Sequence, residues 1–155
     1  MNKKKIHTIL IVFILLVYGC GFTPQYAGFK NLDFYLKVGE IRGDRDLNNE
    51  IKSQLKRYES DREDLEQINI NYDSKYDKIT ISKNTKGEAT KYNLKVDIVF
   101  QIKSENYSTK IIFNEEFKID KIDDTIEENN YIRIVKRNFA EKAVEKVILN
   151  IRQNK

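Results

Sequence analysis

The feature that most constrains the fold is an alternation of apolar and mostly polar residues that runs from Tyr92 to Ile102. Because successive side chains of a β-strand point to opposite faces of the sheet, this segment predicts a strand with one buried and one solvated side. A polar turn follows, and the pattern then repeats at Ile111, Phe113, Phe117 and Ile119. The two segments together predict an antiparallel sheet that is covered on one face.

Two amphipathic helices are predicted to cover that face. The first would be capped by Asp44 or Asp46 and would end near Tyr58. Its apolar stripe consists of Leu47, Ile51 and Leu55. The second would begin with a capping box at residues 125–128 and would run, without Pro or Gly, almost to the end of the chain. Its apolar stripe consists of Ile132, Val135, Phe139, Ala143, Val147 and Ile151.

The segment between the first helix and the alternating strand is ambiguous. Residues 68–72 and 79–81 each alternate, but the polar residues 73–78 separate them. They form either the two strands of a hairpin or one strand that is interrupted by a bulge. The turn that follows contains Gly87, since glycine readily adopts the positive φ that tight turns require.

A first strand is predicted over residues 32–38, with a turn over residues 39–44. If residues 68–81 form one strand, the order of elements is strand, helix, three strands, helix (βαβββα). Two helices on one face of a four-stranded, mostly antiparallel sheet would cover every apolar stripe, so we predict a two-layer α+β sandwich. Residues 32–155 would form this single domain.

The N-terminus has a different character from the rest of the chain. Lysines at positions 3–5 are followed by an unbroken apolar run over residues 9–17. This layout is typical of a secretory signal peptide. The run is well short of the roughly 20 residues that span a bilayer, so a cleaved signal is favoured and an uncleaved anchor is the alternative.

Cys20 stands at the foot of this apolar run. Residues 17–20 (VYGC) resemble a bacterial lipobox, which implies that residues 1–19 are removed and that Cys20 carries a diacylglycerol on its thiol and an acyl group on its new N-terminus. Residues 20–31 would then form a lipidated tether. Gly21, in place of an Asp, points to the inner leaflet of the outer membrane. The alternative is an ordinary signal peptide that ends in a cysteine.

Net charge and residue types exclude several classes of function. The chain carries +4, but residues 1–19 hold three of its 28 basic side chains and none of its 24 acidic ones, so the predicted mature protein is close to neutral. This removes the charge argument for a nucleic-acid partner. His7 is the only histidine and Cys20 the only cysteine, so we expect no internal disulfide, metal site or histidine-based catalysis. We therefore predict a non-enzymatic protein with no cofactor beyond the covalent lipid.

Two short motifs resemble the LptE family of lipopolysaccharide-assembly lipoproteins. Residues 20–26 (CGFTPQY) match its C-G-F-x-P-x-Y opening, and residues 87–94 (GEATKYNL) are similar to its Gly-x-Ala-x-x-Tyr-x-Leu stretch. The resemblance implies the same order of elements, with one bulged strand over residues 68–81. It also implies an outer-membrane lipoprotein that acts with a large β-barrel lipopolysaccharide translocon of the LptD type, as a plug in its lumen and as its assembly factor.

The resemblance further implies binding of lipopolysaccharide by basic residues, whose natural targets are the phosphates of its lipid anchor. The favoured set flanks the predicted turn and consists of Lys83, Lys86 and Lys91. A second set lies on the last helix and consists of Arg133, Lys136 and Arg137. Ordinary solvated charge is the alternative for both sets. Two other functions stay open: a pilot or assembly lipoprotein for another outer-membrane barrel or secretin, and a surface-exposed structural lipoprotein.

Overall fold

The computed structural model describes residues 33–60 and 64–154 of the chain. Its elements in chain order are β1 (Phe34–Gly43), α1 (Arg45–Leu55), β2 (Glu66–Lys83), β3 (Ala89–Lys103), β4 (Ser108–Asp120) and α2 (Thr125–Gln153). A short 3-10 helix, Lys56–Tyr58, continues α1 to its predicted end. The predicted signal peptide and tether, with Cys20, lie outside the described residues. The βαβββα order confirms the predicted α+β class.

The sheet has the predicted four strands and is mixed, with mostly antiparallel pairing. The strands lie in the order β1-β2-β3-β4; β1 pairs with β2 in parallel, and the other two pairs are antiparallel. β1 and β2 are parallel because α1 connects them and returns the chain to the end of the sheet where β1 began, so that β2 runs in the same direction as β1. The other two pairs are hairpins with short turns.

The ambiguous segment is one continuous strand, because β2 spans 18 residues. The predicted interruption at residues 73–78 is wrong: the pairing with β3 is regular there, and the register shifts lie between Thr80 and Lys83. Polar residues are accommodated within β2 because partners are available to them. Ser74 is only 2% exposed, and its hydroxyl donates to Oδ1 of Asn48 on α1 at 2.7 Å.

β1 extends to Gly43, so the turn predicted over residues 39–44 is wrong. A register shift in the pairing with β2 absorbs the extra residues, and there Oδ1 of Asn71 accepts the Glu40 N–H at 2.8 Å. The chain leaves the sheet at Gly43, whose φ is 99° and where a Cβ would lie 1.8 Å from the carbonyl oxygen of Ser74. Glycine is required by both the positive φ and this close approach.

Both helices begin at an aspartate cap. Oδ1 of Asp44 accepts the Leu47 N–H at 2.8 Å, which confirms one of the two caps predicted for α1. The cap of α2 is Asp124, whose carboxylate accepts two N–H groups of the first turn. The capping box predicted over residues 125–128 therefore starts one residue too late.

The core lies between the two helices and one face of the sheet. The predicted stripe of α1 is fully buried, at Leu47, Ile51 and Leu55. The predicted stripe of α2 is also buried, except for Ile132, which is half-buried. Phe117 departs from the prediction because it is 42% exposed. It lies in a groove beside α2, lined in part by Val135 and Phe139, rather than beneath the helix.

β4 is the outermost strand on its side of the sheet, and two side chains of α2 bind it. Nζ of Lys146 donates to the carbonyl oxygen of Ile112 at 2.8 Å. One turn earlier, Lys142 forms an ion pair with Glu115. Side chains of α2 therefore bind both the backbone and a side chain of β4.

Candidate functional site

The β2–β3 turn, where the favoured lysine set was predicted, is closed by its own hydrogen bonds. Oδ1 of Asn84 accepts the N–H groups of Lys86 and Glu88 at 2.9 and 3.0 Å, and Nδ2 of Asn84 donates to the Glu88 carboxylate at 2.7 Å. Gly87 has a φ of 82°. An asparagine that bonds the backbone around a positive-φ glycine specifies a single turn geometry.

The three predicted lysines are brought to this one end of the sheet. Lys83 and Lys86 are exposed, and neither has an ion-pair partner among the described residues. Lys91 differs, because its Nζ lies 3.3 Å from Oδ1 of Asp120 at the end of β4. The turn therefore presents two unpaired cations, and a third cation that shares its charge with a carboxylate.

Lys136, in the second predicted set, is a structural residue. It is 7% exposed, and its Nζ lies 2.9 Å from Oδ1 of Asp44 and 3.8 Å from Oδ2 of Asp46. The same ammonium lies 4.0 Å from the centroid of the Tyr76 ring. Because Asp44 also caps α1, this lysine fastens the start of α1 to α2 and to β2.

The other two members of that set make different contacts. Nε of Arg137 lies 4.0 Å from the Glu50 carboxylate on α1. Arg133 is exposed and donates to Oδ1 of Asn130 at 3.4 Å. The structure brings Arg133 and Lys136 to the lining of one cleft, which does not include Arg137.

A cleft of about 550 Å³ opens between α1, α2 and β2. It exists because β1 ends at Gly43, opposite Ser74, while β2 continues to Lys83. Its lining includes Asn49, Glu50, Tyr76, Lys78, Ile132 and Arg133. The cleft was not predicted, although the sequence carries one signal of it: the isoleucines of β2 change from even positions, 68 and 70, to odd positions, 79 and 81.

The hydroxyl of Tyr76 is the most unusual group in the cleft. Its oxygen is buried and has no hydrogen-bond partner within the described part of the chain. Burial raises the pKa of Tyr76 to about 12, and the negative charges of Asp44 and Glu128 add to the shift. A buried hydroxyl without a partner costs free energy, so any group that entered the cleft and bonded to it would be stabilised.

At the other end of the cleft, Lys78 joins β2 to the first turn of α2. Its Nζ donates to the Glu128 carboxylate and lies 3.9 Å from the centroid of the Tyr92 ring. The hydrogen bond from Lys78, followed by one from the Ile122 N–H, lowers the pKa of Glu128. The pair connects the start of α2 to the strand that carries the lysine turn.

The face of the sheet opposite the helices is polar. Neighbouring strands form hydrogen bonds across it, such as that from Nδ2 of Asn93 to the Glu116 carboxylate at 2.9 Å. Ile79 and Ile112 interrupt this surface and are 47% and 49% exposed. Such a face is suited to aqueous or polar protein surroundings.

The described residues contain neither a candidate membrane-spanning helix nor a candidate metal cluster. No helix among them is both long and apolar enough to cross a bilayer. In the same ranges, 33–60 and 64–154, no three or more His, Cys, Asp or Glu side chains are grouped so that they could hold a metal ion.

No family model matches the sequence, and no curated protein sequence matches it. Solved structures match it in fold. Rare lipoprotein B from Shewanella oneidensis is 9% identical, with a TM-score of 0.52 over 76% of this chain and 98% of that one. A Caulobacter crescentus protein assigned as a lipoprotein is 12% identical, with a TM-score of 0.43 over 76% of this chain and 86% of that one. The minor lipoprotein from Acinetobacter baumannii is 14% identical, with a TM-score of 0.42 over 72% and 93% of the two chains. The first of these likenesses shows the fold: this chain has the architecture of rare lipoprotein B.

Proposed function

We propose that this protein is an outer-membrane lipoprotein that acts with a large β-barrel translocon of the LptD type in lipopolysaccharide transport and assembly. In this role it plugs the barrel lumen and assists the assembly of the barrel. The observation that carries the proposal is the βαβββα fold, which matches rare lipoprotein B over 98% of that chain. The CGFTPQY motif at Cys20 supports it separately.

Cys20 supplies the membrane attachment in this proposal. Two or three acyl chains, at about 0.8 kcal/mol for each buried CH₂, hold a protein stably in a leaflet, whereas a single chain does not. The twelve residues of the predicted tether, 20–31, reach about 40 Å when they are extended. The domain would therefore stand close to its anchor, where it binds and assembles partners without catalysing a reaction or holding a further cofactor.

The polar face of the sheet supports the role of a plug. The interior of a large outer-membrane barrel is polar and hydrated, in contrast to its lipid-facing surface. A domain that lies in such a lumen needs a surface of hydrogen-bonding groups, as the Asn93–Glu116 pair and its neighbours provide. Half-exposed apolar residues such as Ile112 would then pack against the barrel wall.

The lysine turn supports direct contact with lipopolysaccharide. Lys83 and Lys86 are exposed and unpaired within the described residues, and the turn that holds them has one geometry. Phosphate groups bind ammonium groups, and the fixed backbone of the turn holds the two lysines at one end of the sheet. Lys91 contributes less in this proposal, because Asp120 competes with the phosphate for its charge.

The proposed partnership is tested by cross-linked purification of the full-length protein from outer membranes. We expect a large lipopolysaccharide-translocon barrel to co-purify, and depletion of the protein to strand lipopolysaccharide in the periplasm. Recovery of a secretin ring would instead identify a pilot lipoprotein. Recovery of neither, with normal lipopolysaccharide transport after depletion, would reject the proposal. Cys20→Ala separates anchoring from partnership, because it should release the protein from membranes only if the lipobox is used.

The lipid contact is tested by replacing Lys83, Lys86 and Lys91 together with Glu and measuring lipopolysaccharide binding. We expect binding to fall at least about tenfold, since three attractive charges become repulsive. The matched control makes the same charge change at three exposed lysines at the far end of the sheet, Lys37, Lys103 and Lys110. Equal binding by the two triple variants would reject the lysine turn as the site.

A further inference from the structure

β2 loses its β1 neighbour half-way along its length. β1 leaves the sheet at Gly43, opposite Ser74, and the next N–H, that of Asp44, donates to the Ser74 carbonyl oxygen at 3.0 Å. β2 then continues for nine more residues, to Lys83. In the described ranges of the chain, no strand lies beside this stretch on the β1 side. We call residues 75–83 the free edge.

The free edge presents backbone groups that can bind another strand. Backbone N–H and C=O groups point alternately to the two sides of a strand, so those on the same side as the Ser74 carbonyl belong to Tyr76, Lys78 and Thr80. An edge of this kind is a template for a further strand where no bulge interrupts it. The register shifts in the pairing with β3 lie between Thr80 and Lys83, so the regular part of the free edge is residues 75–80. Here two aliphatic side chains, Ile79 and Ile81, stay 47% and 45% exposed beside it.

A cavity lies directly inside the free edge. Tyr76 and Lys78 both line the cleft of about 550 Å³, and the Tyr76 hydroxyl is buried without a partner among the described residues. A strand added to the edge would direct every second side chain over this cleft. A Ser, Thr or acidic side chain at that position would hydrogen-bond the Tyr76 hydroxyl and fill space that the chain itself leaves open.

We propose that the free edge binds an extended, acidic segment of a partner protein as a fifth strand of the sheet. Charge favours this occupant, since Lys83 is exposed and has no ion-pair partner among the described residues, whereas the other two lysines of the free edge already pair with Asp77 and Glu128. Lys86 adds a further cation just beyond it. The inference does not need a lipopolysaccharide partner, but it shares Lys83 and Lys86 with the proposed lipopolysaccharide contact; protection of the β2 amides by a peptide distinguishes the two.

Two other occupants fit less well. A second copy of this chain, paired edge to edge, would place the lysines of one free edge against those of the other. The predicted tether would have to pass the length of β1, about 30 Å for ten residues, before it reached Lys75. Its reach of about 40 Å leaves too few residues to cover a nine-residue edge.

The test uses the full-length protein in detergent micelles and a synthetic nine-residue peptide of alternating Glu and Val as the probe. We expect saturable binding, with hydrogen exchange of the Tyr76, Lys78 and Thr80 amides slowed at least about tenfold and the β1 amides unchanged. A peptide with Lys in place of Glu should bind about tenfold more weakly. Absence of protection at these three amides at saturating peptide would overturn the proposal.

A pair of variants at Thr80 separates backbone pairing from side-chain effects. Thr80→Pro removes an N–H on the free side and spares the β2–β3 ladder, so we expect about tenfold weaker peptide binding. Thr80→Ala keeps the N–H and should bind within about twofold of the parent protein. If Thr80→Pro fails to fold, Lys83→Glu decides, because it should reverse the preference between the Glu and Lys peptides. Unchanged preference in Lys83→Glu would contradict the charge argument.

Self-association gives a further check on the occupant. Sedimentation equilibrium of the protein without peptide should show no dimer that depends on the free edge. A dimer that is present in Thr80→Ala and lost in Thr80→Pro would overturn the proposal in favour of a second copy.

Discussion

The two ends of β2 lie in one strand but have opposite surroundings. At the covered end, residues 66–74, β1 pairs with the strand and the helices lie over it, so that Ile68 and Ile70 have no exposed surface. At the hairpin end, residues 75–83, no described strand replaces β1, and Ile79 is 47% exposed. The difference teaches that the core does not need β1 along its whole length: opposite Tyr76 and Lys78, Val96 and Leu94 of β3 stay fully buried under the helices, while Ile79 lies on the opposite, polar face.

The largest expected contrast comes from shortening one isoleucine at each end. Ile70→Ala should lower the free energy of unfolding by about 3 kcal/mol, because it opens a cavity under the helices. Ile79→Ala should lower it by less than about 1 kcal/mol, because its side chain is already half in water. Urea unfolding followed by circular dichroism measures both. Similar losses at the two positions would mean that Ile79, on the face opposite the helices, is as well packed as Ile70 beneath them.

The boundary between the two ends is set at Gly43. Gly43→Ala should cost about 2 to 3 kcal/mol, since an added Cβ meets the Ser74 carbonyl in a backbone conformation that favours glycine. Gly87→Ala is the matched control at the hairpin tip. Its φ is 82° but a Cβ there has nothing within 4 Å, so only the conformational cost of about 1 kcal/mol is expected. Equal costs in urea unfolding would show that the close approach at Gly43 is easily relieved.

The third contrast concerns Lys136, which forms an ion pair with the cap of α1 next to this boundary. Lys136→Met should lower the free energy of unfolding by about 2 kcal/mol, because it leaves the partly buried Asp44 without its ion pair. Lys142→Met removes an exposed pair with Glu115 and should cost less than about 0.5 kcal/mol. Thermal unfolding of the two variants gives the comparison. A cost for Lys142→Met that equals or exceeds the cost for Lys136→Met would refute the anchoring role.

The smallest expected effect is a pH dependence at the hairpin end. Glu128 has its pKa lowered from 4.5 in the folded protein, chiefly by the hydrogen bond from Lys78. Ionised Glu128 therefore stabilises the folded protein at pH values above the pKa that Glu128 has in the unfolded chain. This stabilisation is lost as the pH falls through the lower pKa that Glu128 has in the folded protein. The increment should be only a few tenths of a kcal/mol, because the pair is partly solvated.

Lys78→Met tests this pair by removing the cause of the shift. The stability difference between the parent protein and Lys78→Met should be present at about pH 6 and should shrink by about pH 3. Urea midpoints at the two pH values measure it. A difference that grows on acidification would have the wrong sign for this mechanism.

Much of the fold could be predicted because its signals are local. The strand from Tyr92 to Ile102 and the stripe of α1 depend on periodicities that the chain displays directly, and the cap at Asp44 depends on one side chain. The parallel pairing of β1 was not predicted, because it depends on where α1 returns the chain rather than on either strand's own pattern.

β2 shows why the rest could not be predicted. Its apolar residues occupy even positions up to Tyr72 and odd positions at Ile79 and Ile81, and a bulge between the runs would have returned them to one face. The structure instead keeps the register through Thr80, shifts it only next to Ile81, and leaves both later isoleucines half exposed. The cleft depends in turn on the length of β1. The three lysines of the predicted set lie at the hairpin end, where the sequence put them, but the Lys91–Asp120 contact was not predicted, since it joins residues that are 29 positions apart in the chain.

The lysine that α2 places on the backbone of β4 has a consequence for the behaviour of the chain at high concentration. With Lys146 bound to the Ile112 carbonyl, part of the outermost strand is already occupied by the protein's own side chain. A neighbouring chain that approached this strand would have to displace an ammonium group before it could pair, which discourages intermolecular β-aggregation. The β4 edge of the sheet is thus protected against pairing with other chains, while the free edge of β2 is available to a strand. This asymmetry would let the protein bind one strand without starting a fibre.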